Sequence, residues 1–442
     1  MPRVLLVTYE FPPMGGVGVQ RCLKFAKYLP RAGWDVSVLT VADPPTALLD
    51  ESLLAELPAS VRVHRAWSLE PTRLIQLLRR RRSEPTVSPA LSPSSSGRAG
   101  FSGMPAWVIR VVQAFFVPDE KRLWRGPARR EALSAVREDA CDAVVSSGPP
   151  FTAHLVARDV ARRTALPWVA DFRDPWVGNY FFRPPTPLHG ALQARWERRV
   201  VREAGLVVVV SEAMAEDLRQ RYPDLPADHF RVIPNGFDPE DLPVPSAPSA
   251  EGPFTFAYLG VFQGAVSPDA FLAGLRRALD AGSLPADGVR VRLIGPRSAS
   301  AEEAVERYGL RDLVETTGYL PHRRALAEAA RAHVGLLVLP PGPRSRPILT
   351  GKLFEYLALG RAVLALVSPG DARALVEEAR AGVVADPADP AAVTAAIASL
   401  YACWREGRSL PSPDPSVVAR YDRRKQAAAL ADLIAGIAGG RS

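Results

Sequence analysis

Lysine is scarce in this sequence. Five lysines stand beside 50 arginines in 442 residues, so a lysine set inside a structured motif draws notice. Cysteine is scarcer still. Cys22, Cys141 and Cys403 are isolated from one another, which gives no paired-ligand spacing for zinc and suits a reducing compartment. No apolar run reaches the ~18–20 residues of a membrane-spanning helix. The N-terminus enters "RVLLVTY" directly, without the charged, apolar and cleavage regions of a secretory signal, and a cytoplasmic location is expected. The net charge of +8 comes from arginine in an Ala- and Pro-rich chain. No basic-and-aromatic pattern of a nucleic-acid module accompanies it, so nucleic acid is not an expected partner.

What is abundant is alternation. "RVLLVTY" (3–9), a Gly-rich loop, a helix ending at Gly33 and "DVSVLT" (35–40) form a βαβ unit, with Val19, Leu23, Ala26 and Leu29 on one side of the helix. "VRVHRAW" (61–67) reads as a third strand. The pattern resumes at "DAVVSSG" (142–148), a helix over 152–164, "PWVADF" (167–172), an Arg-rich helix over 189–203, "GLVVVVS" (205–211) and a helix from 212. Between the two stretches, 83–100 is Pro/Ser-rich and reads as a disordered loop. The Pro-rich segment 231–253 reads as a linker. Strands at 254–260, 289–295, 314–320, 334–340, 362–367 and 382–386 then alternate with helices, and a last amphipathic helix covers 416–437. The expected fold is α/β: two Rossmann-like domains, 1–230 and 254–415, facing across a cleft, with 416–442 crossing back to the first.

Ligands of open α/β sheets bind at the carboxyl ends of strands, near helix N-termini. Four such places carry suitable residues. Gly15 and Gly16 allow close backbone approach after the first strand, a plain turn being the alternative. The spacing does not meet GxGxxG, because Arg21 falls at the last position. Ser146 and Ser147, in "SSGPPFTAH", offer hydroxyls to a hydroxylated ligand. In "VADFRDPW", Asp171, Arg173 and Asp174 crowd one strand end, where both acids are expected to face the cleft; a local Asp–Arg pair is the alternative, and two acids are too few for a metal site. In "TGKLFEYLALGRAVLA" (350–365), Thr350 is the expected N-cap of a helix whose first turn carries Lys352. Free amides, the positive helix end and the ammonium make a place for phosphate. Glu355, three residues on, shares that face and suits a ribose diol; an ordinary surface Lys–Glu pair is the alternative. Arg344 and Arg346 lie in the preceding loop.

The ordered series "YEFPPMGGVGVQR", "VVVVSEAM", "VIPNGFD" and "GKLFEYLALGRAVLA" resembles the GT-B glycosyltransferases, most of all the family-4 group of retaining, metal-independent enzymes. The resemblance implies an N-terminal acceptor domain and a C-terminal nucleotide-sugar domain. It gives Glu355 the donor ribose, Lys352 the edge of the phosphates, Gly15 and Gly16 the loop near the donor phosphate, and Tyr319, Leu320 and Pro321 the base, read largely through backbone groups. It implies no cofactor, the nucleotide-sugar being a substrate. Two features depart from the family pattern. Pro347 stands eight residues before Glu355, where a first glutamate is usual, and "LGVFQGAVSP" holds no basic pair. Arg297, Arg344, Arg346 and Lys352 are the alternative sources of charge. Asp171 stands where many relatives have a cleft histidine.

These expectations converge on a hexosyltransferase acting in cell-surface polysaccharide or glycolipid synthesis, with Asp171, Arg173 and Lys352 as catalytic candidates and Ser147 and Asp174 on the acceptor side. A sugar-nucleotide epimerase and a non-catalytic nucleotide-sugar-binding protein are the alternatives. An apolar stripe at 107–116, the arginines at 79–82 and "RWERRVVR" (195–202) suit an anionic membrane surface, with peripheral contact on the inner face of the cell membrane; core packing of 107–116 is the alternative.

Overall fold

The computed structural model describes residues 1–43, 48–69, 116–180, 184–244 and 252–439. The expected loop at 83–100, the arginines at 79–82 and the stripe up to Phe115 lie outside them. The chain divides into two units, Met1–Pro234 with Arg423–Ser442, and Asn235–Asp422.

The first unit is built on a parallel seven-stranded sheet, in the order β3-β2-β1-β4-β5-β6-β7. The strands are β1 (Arg3–Thr8), β2 (Asp35–Val41), β3 (Arg62–Ala66), β4 (Ala143–Gly148), β5 (Trp168–Phe172), β6 (Leu206–Val209) and β7 (Phe230–Val232). Val4, Leu5, Leu6 and Val7 are fully buried, the signature of a parallel strand covered on both faces. The helices are α1 (Val17–Tyr28), α2 (Arg125–Glu138), α3 (Thr152–Thr164), α4 (Pro187–Glu203) and α5 (Glu212–Arg221). Helix α1 was expected to bury one side. It is instead buried from Gly18 through Tyr28. Its lysines survive burial because Lys24 and Lys27 both reach Glu56. Pro30 turns its end into a 3-10 turn, Leu29–Ala32, and Gly33 stops it at φ 89°.

The second unit carries a parallel six-stranded sheet, in the order β10-β9-β8-β11-β12-β13. Its strands are β8 (Phe254–Leu259), β9 (Val289–Ile294), β10 (Val314–Gly318), β11 (Val334–Val338), β12 (Ala362–Leu366) and β13 (Gly382–Ala385). Its helices are α6 (Asp269–Asp280), α7 (Ala299–Arg307), α8 (His322–Ala330), α9 (Gly351–Ala358), α10 (Asp371–Glu378), α11 (Pro390–Arg405) and α12 (Pro415–Val418). No helix among the described residues is long and apolar enough to cross a membrane.

Two boundaries differ from the sequence reading. The segment 231–253 begins inside β7, which pairs with β6 as the last strand of the first sheet. The final helix is also not continuous over 416–437. It breaks at Asp422, because Phe237 donates to the Tyr421 carbonyl at 3.1 Å and bridges Asp422, holding the chain extended there. The chain then forms α13 (Arg423–Gly439), which returns to the first unit and buries Ala427, Leu430, Ala431 and Ile434 with residues of β1 and α1.

Candidate functional site

Each sheet reverses its strand order once, between β1 and β4 in the first unit and between β8 and β11 in the second. Such switch points open a crevice at the carboxyl ends of the strands. The sequence-selected residues gather at these two places.

In the first unit, Thr8, Ser147 and Asp171 lie side by side across β1, β4 and β5. Asp171 is completely buried, a correction to the expectation that its acid faces the open crevice. Arg21 of α1 explains this. Its Nε lies 2.9 Å from Asp171 Oδ2 and its second guanidinium arm 2.7 Å from Oδ1, while Ser147 Oγ donates to Oδ2 at 2.7 Å. Burial alone would raise the acid's pKa; the Arg21 guanidinium and the Ser147 hydroxyl overcome it and hold the carboxylate ionised. Arg21 also donates to the carbonyls of Ile233 and Pro234, at 2.9 and 2.8 Å. Asp171 therefore organises the interior.

Ser146 is equally committed. It is fully buried and accepts from Trp168 Nε1 at 2.8 Å, with His154 Nδ1 also 2.8 Å away. Burial pushes the His154 pKa down to about 3, so its imidazole is neutral. Neither serine has a free hydroxyl for a ligand.

Arg173 reaches back from the end of β5 to the loops after β1 and β4. It donates to the carbonyls of Gly18 and Pro149 and pairs with Glu10 at 2.9 Å. A Cβ at Gly18 would come within 2.0 Å of Glu10 Oε2, so that carboxylate would have to shift. Gly15 donates its N–H to Leu48 at 2.9 Å, and Gly16, at φ 97°, opens α1 without a side-chain cap. Asp174 is half-buried beside this cluster, and no hydrogen bond or ion pair among the described residues engages its carboxylate. Burial lifts its pKa to about 7, opposed by Arg173 and assisted by the charge of Glu10.

In the second unit, α9 begins at the end of the loop that follows β11. Thr350 occupies the N-cap position, but its hydroxyl makes no cap bond and is buried without a hydrogen-bond partner among the described residues. Tyr356 fixes the helix to the sheet. Its ring packs where Gly335 leaves space, and its hydroxyl accepts from Leu259 N at 2.7 Å and reaches the Ala257 carbonyl at 3.1 Å. Lys352 and Glu355 do not form the ordinary surface pair. The Lys352 ammonium lies 3.7 Å from the centroid of the Tyr258 ring, which is stacked on Phe262. No hydrogen bond or carboxylate contact among the described residues engages it. Gly260, at φ 111°, lies beside it, in a backbone conformation that favours glycine. Burial lowers the Lys352 pKa to about 7, with Glu355 pulling the other way.

Glu355 Oε1 is held by His322 Nε2 at 2.9 Å, and His322 Nδ1 lies 3.5 Å from Asp241 Oδ2. Burial disfavours the imidazolium, but the Asp241 and Glu355 carboxylates on either side raise the His322 pKa to about 9. Tyr319 and Leu320 are half-buried just before α8. Arg344 and Arg346 are exposed in the loop before α9. Arg297 is exposed after β9 and pairs with Glu302 at 3.3 Å. Sequence reasoning missed Arg21, Glu10, Tyr258, Gly260, Asp241 and His322. Two of these were adjacent to chosen residues: Arg21 closes "GGVGVQR", and His322 follows "YLP".

Residues 71–241 match the profile of "Glycosyltransferase Family 4", and residues 254–403 match that of "Glycosyl transferases group 1". No curated protein matches by sequence. Among solved structures, a sucrose-phosphate synthase from Thermosynechococcus elongatus superposes with TM-score 0.65 at 16% identity, covering 100% of both chains. The Anabaena protein Alr3699/HepE in complex with UDP and glucose superposes with TM-score 0.65 at 17% identity, covering 99% of this chain and 100% of its own. WaaG, a glycosyltransferase involved in lipopolysaccharide biosynthesis, gives 0.58 at 14% identity over 98% of this chain and 100% of its own.

Proposed function

We propose that this chain, a GT-B glycosyltransferase of the family-4-like kind, moves a hexosyl group from a nucleotide-sugar to an acceptor of cell-surface polysaccharide or glycolipid synthesis, with retention and without a metal. One observation carries the donor reading: a Lys352 ammonium with no carboxylate partner among the described residues and a half-engaged Glu355 carboxylate share the first turns of α9 at the β8–β11 switch point. A diphosphate supplies an anion in contact with Lys352, which has none among the described residues. A ribose diol supplies two donors for Glu355. The segment at Tyr319 and Leu320 takes the base, and the exposed Arg297, Arg344 and Arg346 add charge around the diphosphate. UDP-sugars are the first donors to test, because solved neighbours include complexes with UDP.

In the proposed reaction the bond between the anomeric carbon and the donor phosphate breaks as the acceptor oxygen bonds to that carbon on the same face. The acceptor hydroxyl proton passes to the departing phosphate. Negative charge builds on the diphosphate, and Lys352 and the surrounding guanidiniums stabilise it. The first unit contributes the acceptor side. Gly15 and Gly16 leave the loop after β1 without side chains, which suits close backbone approach by a ligand. Arg173 and Asp171 act on the reaction by fixing the loops after β1, β4 and β5, and Asp174 supplies a free carboxylate to an acceptor hydroxyl. The exposed Arg195, Arg198 and Arg202 of α4 support contact with an anionic membrane carrying a lipid-linked acceptor.

The test is nucleotide release and product formation from UDP-, GDP- and ADP-sugars, with NMR of the product's anomeric proton and a parallel reaction in chelator. Transfer with retained configuration, unaffected by chelator and lost in Lys352→Ala and Glu355→Ala, is the expected result. Binding without nucleotide release means a non-catalytic binder. An epimerised donor without acceptor product means an epimerase.

A further inference from the structure

We infer that His322, backed by Asp241, is a positioning residue for nucleoside recognition: it fixes Glu355 through one carboxylate oxygen so that the other is aimed at the ribose diol. The inference rests on the donor reading of Lys352 and Glu355 given above.

The geometry is a line of three groups drawn from three separate segments. Asp241 ends a 3-10 turn, Pro239–Asp241, and its side chain is 1% exposed. His322 is the first residue of α8. Glu355 lies on α9. The imidazole joins them, Nε2 to Glu355 Oε1 at 2.9 Å and Nδ1 to Asp241 Oδ2 at 3.5 Å. Arg323 holds the other Asp241 oxygen at 3.3 Å, so the acid is anchored from two sides. Both ring nitrogens of an imidazolium are donors, which suits a carboxylate on each side. Glu355 Oε2 has no partner among the described residues.

The sequence position of His322 gives this line a second consequence. Tyr319, Leu320 and Pro321 immediately precede it, and they are the segment proposed to take the base. A single side chain therefore ties the base-side segment to the carboxylate proposed for the sugar, so the two halves of one nucleoside meet a pre-set distance. Glu355 needs such a tie because Lys352, its neighbour on the helix, is turned away onto Tyr258. Without His322, Glu355 is free to change rotamer and to lose the orientation a diol requires.

The experiment compares calorimetric affinities for UDP, GDP and ADP with those for the matching 2′,3′-dideoxy nucleotides. Each ratio reads only the diol. Wild-type protein is expected to favour the natural nucleotide by about ten- to a hundredfold, the range of hydrogen bonds to a charged acceptor. Glu355→Ala brings the ratio to about one. His322→Ala lowers the ratio severalfold, the natural nucleotide losing more affinity than its dideoxy analogue. Asp241→Asn does the same to a smaller degree, and His322→Gln, which keeps a donor, restores part of it. Thermal melting without nucleotide checks that each variant is folded. Equal losses for both nucleotides in His322→Ala, or an unchanged ratio, overturn the inference. A ratio that survives Glu355→Ala, or no binding of any nucleotide to wild type, overturns the donor reading instead and takes this inference with it.

Discussion

Raising the pH is expected to weaken donor binding through one residue, Lys352. Its ammonium sits against the Tyr258 ring at 3.7 Å with no carboxylate in contact among the described residues, and its pKa falls to about 7. Burial is the leading cause, and Glu355 offsets only part of it. A bound diphosphate supplies the missing anion and returns the lysine towards the ordinary ammonium range. Binding then draws a proton onto Nζ wherever the free protein lacks one. From pH 7.0 to 8.5 the protonated fraction of the free lysine falls from about one half to about 3%, so affinity drops roughly fifteenfold, about 1.6 kcal/mol. UDP-glucose is the suitable probe because its diphosphate has no proton to lose in this interval. Calorimetry in two buffers of different ionisation enthalpy reads the proton directly. At pH 8.5 nearly one proton is taken up per ligand, and at pH 6 almost none. Lys352→Arg keeps its charge at all these pH values and flattens the dependence. Lys352→Met flattens it at the weak limit. Other groups that titrate in or near this pH range, His322 at about 9 and Asp174 at about 7, remain in both variants. A pH-independent affinity in wild type, or a slope that persists in the arginine variant, refutes the assignment.

Asp171→Asn leaves Arg21 buried without its counter-charge and is expected to cost about 3–5 kcal/mol in urea unfolding, whereas Arg21→Met with Asp171→Leu loses much less; equal losses for the two would show that the pair is not the reason for the cost. Gly335→Ala sets a Cβ 2.4 Å from the Tyr356 ring, too close to coexist; it is expected to destabilise the protein by about 1–3 kcal/mol and, by shifting α9, to weaken nucleotide binding, as paired denaturation and calorimetry would reveal. His322 has its folded pKa raised to about 9 from 6.5. Its stabilising contribution is therefore fully present below pH 6.5 and lost as pH rises through about 9. Urea midpoints at pH 6.5 and 9.5 should converge in His322→Gln and differ in wild type.

The alternating strands were legible because each is a short apolar run between turn residues, and all but β7 were expected near their observed bounds. β7 was missed because three residues, Phe230–Val232, leave no periodicity before the proline-rich segment. Helix α2 was readable and overlooked: Ala128, Ala132 and Ala135 recur on one buried face. The pairing of side chains was much less legible. Nothing in local spacing tells that Arg21 reaches Asp171, 150 positions away, or that Ser147 spends its hydroxyl on the same acid. Three-residue spacing made Lys352 and Glu355 neighbours on a helix, but their actual partners, Tyr258 and His322, come from other segments. Local chemistry selected the right strand ends, and long-range partners decided which groups stay free.

The return of α13 to the first unit has a consequence for synthesis. Ala427, Leu430, Ala431 and Ile434 complete a core whose other members lie within the first 233 residues, among them Val4, Leu6 and Phe25. All of Asn235–Asp422 must be translated before that cover exists. At about 5–20 residues per second the wait is on the order of ten to forty seconds. During that interval the nascent first unit shows the ribosome and its chaperones an open apolar strip beside α1. A chain halted before Arg423 is expected to keep that strip exposed and to be captured and degraded, although every residue proposed for donor and acceptor binding has been made.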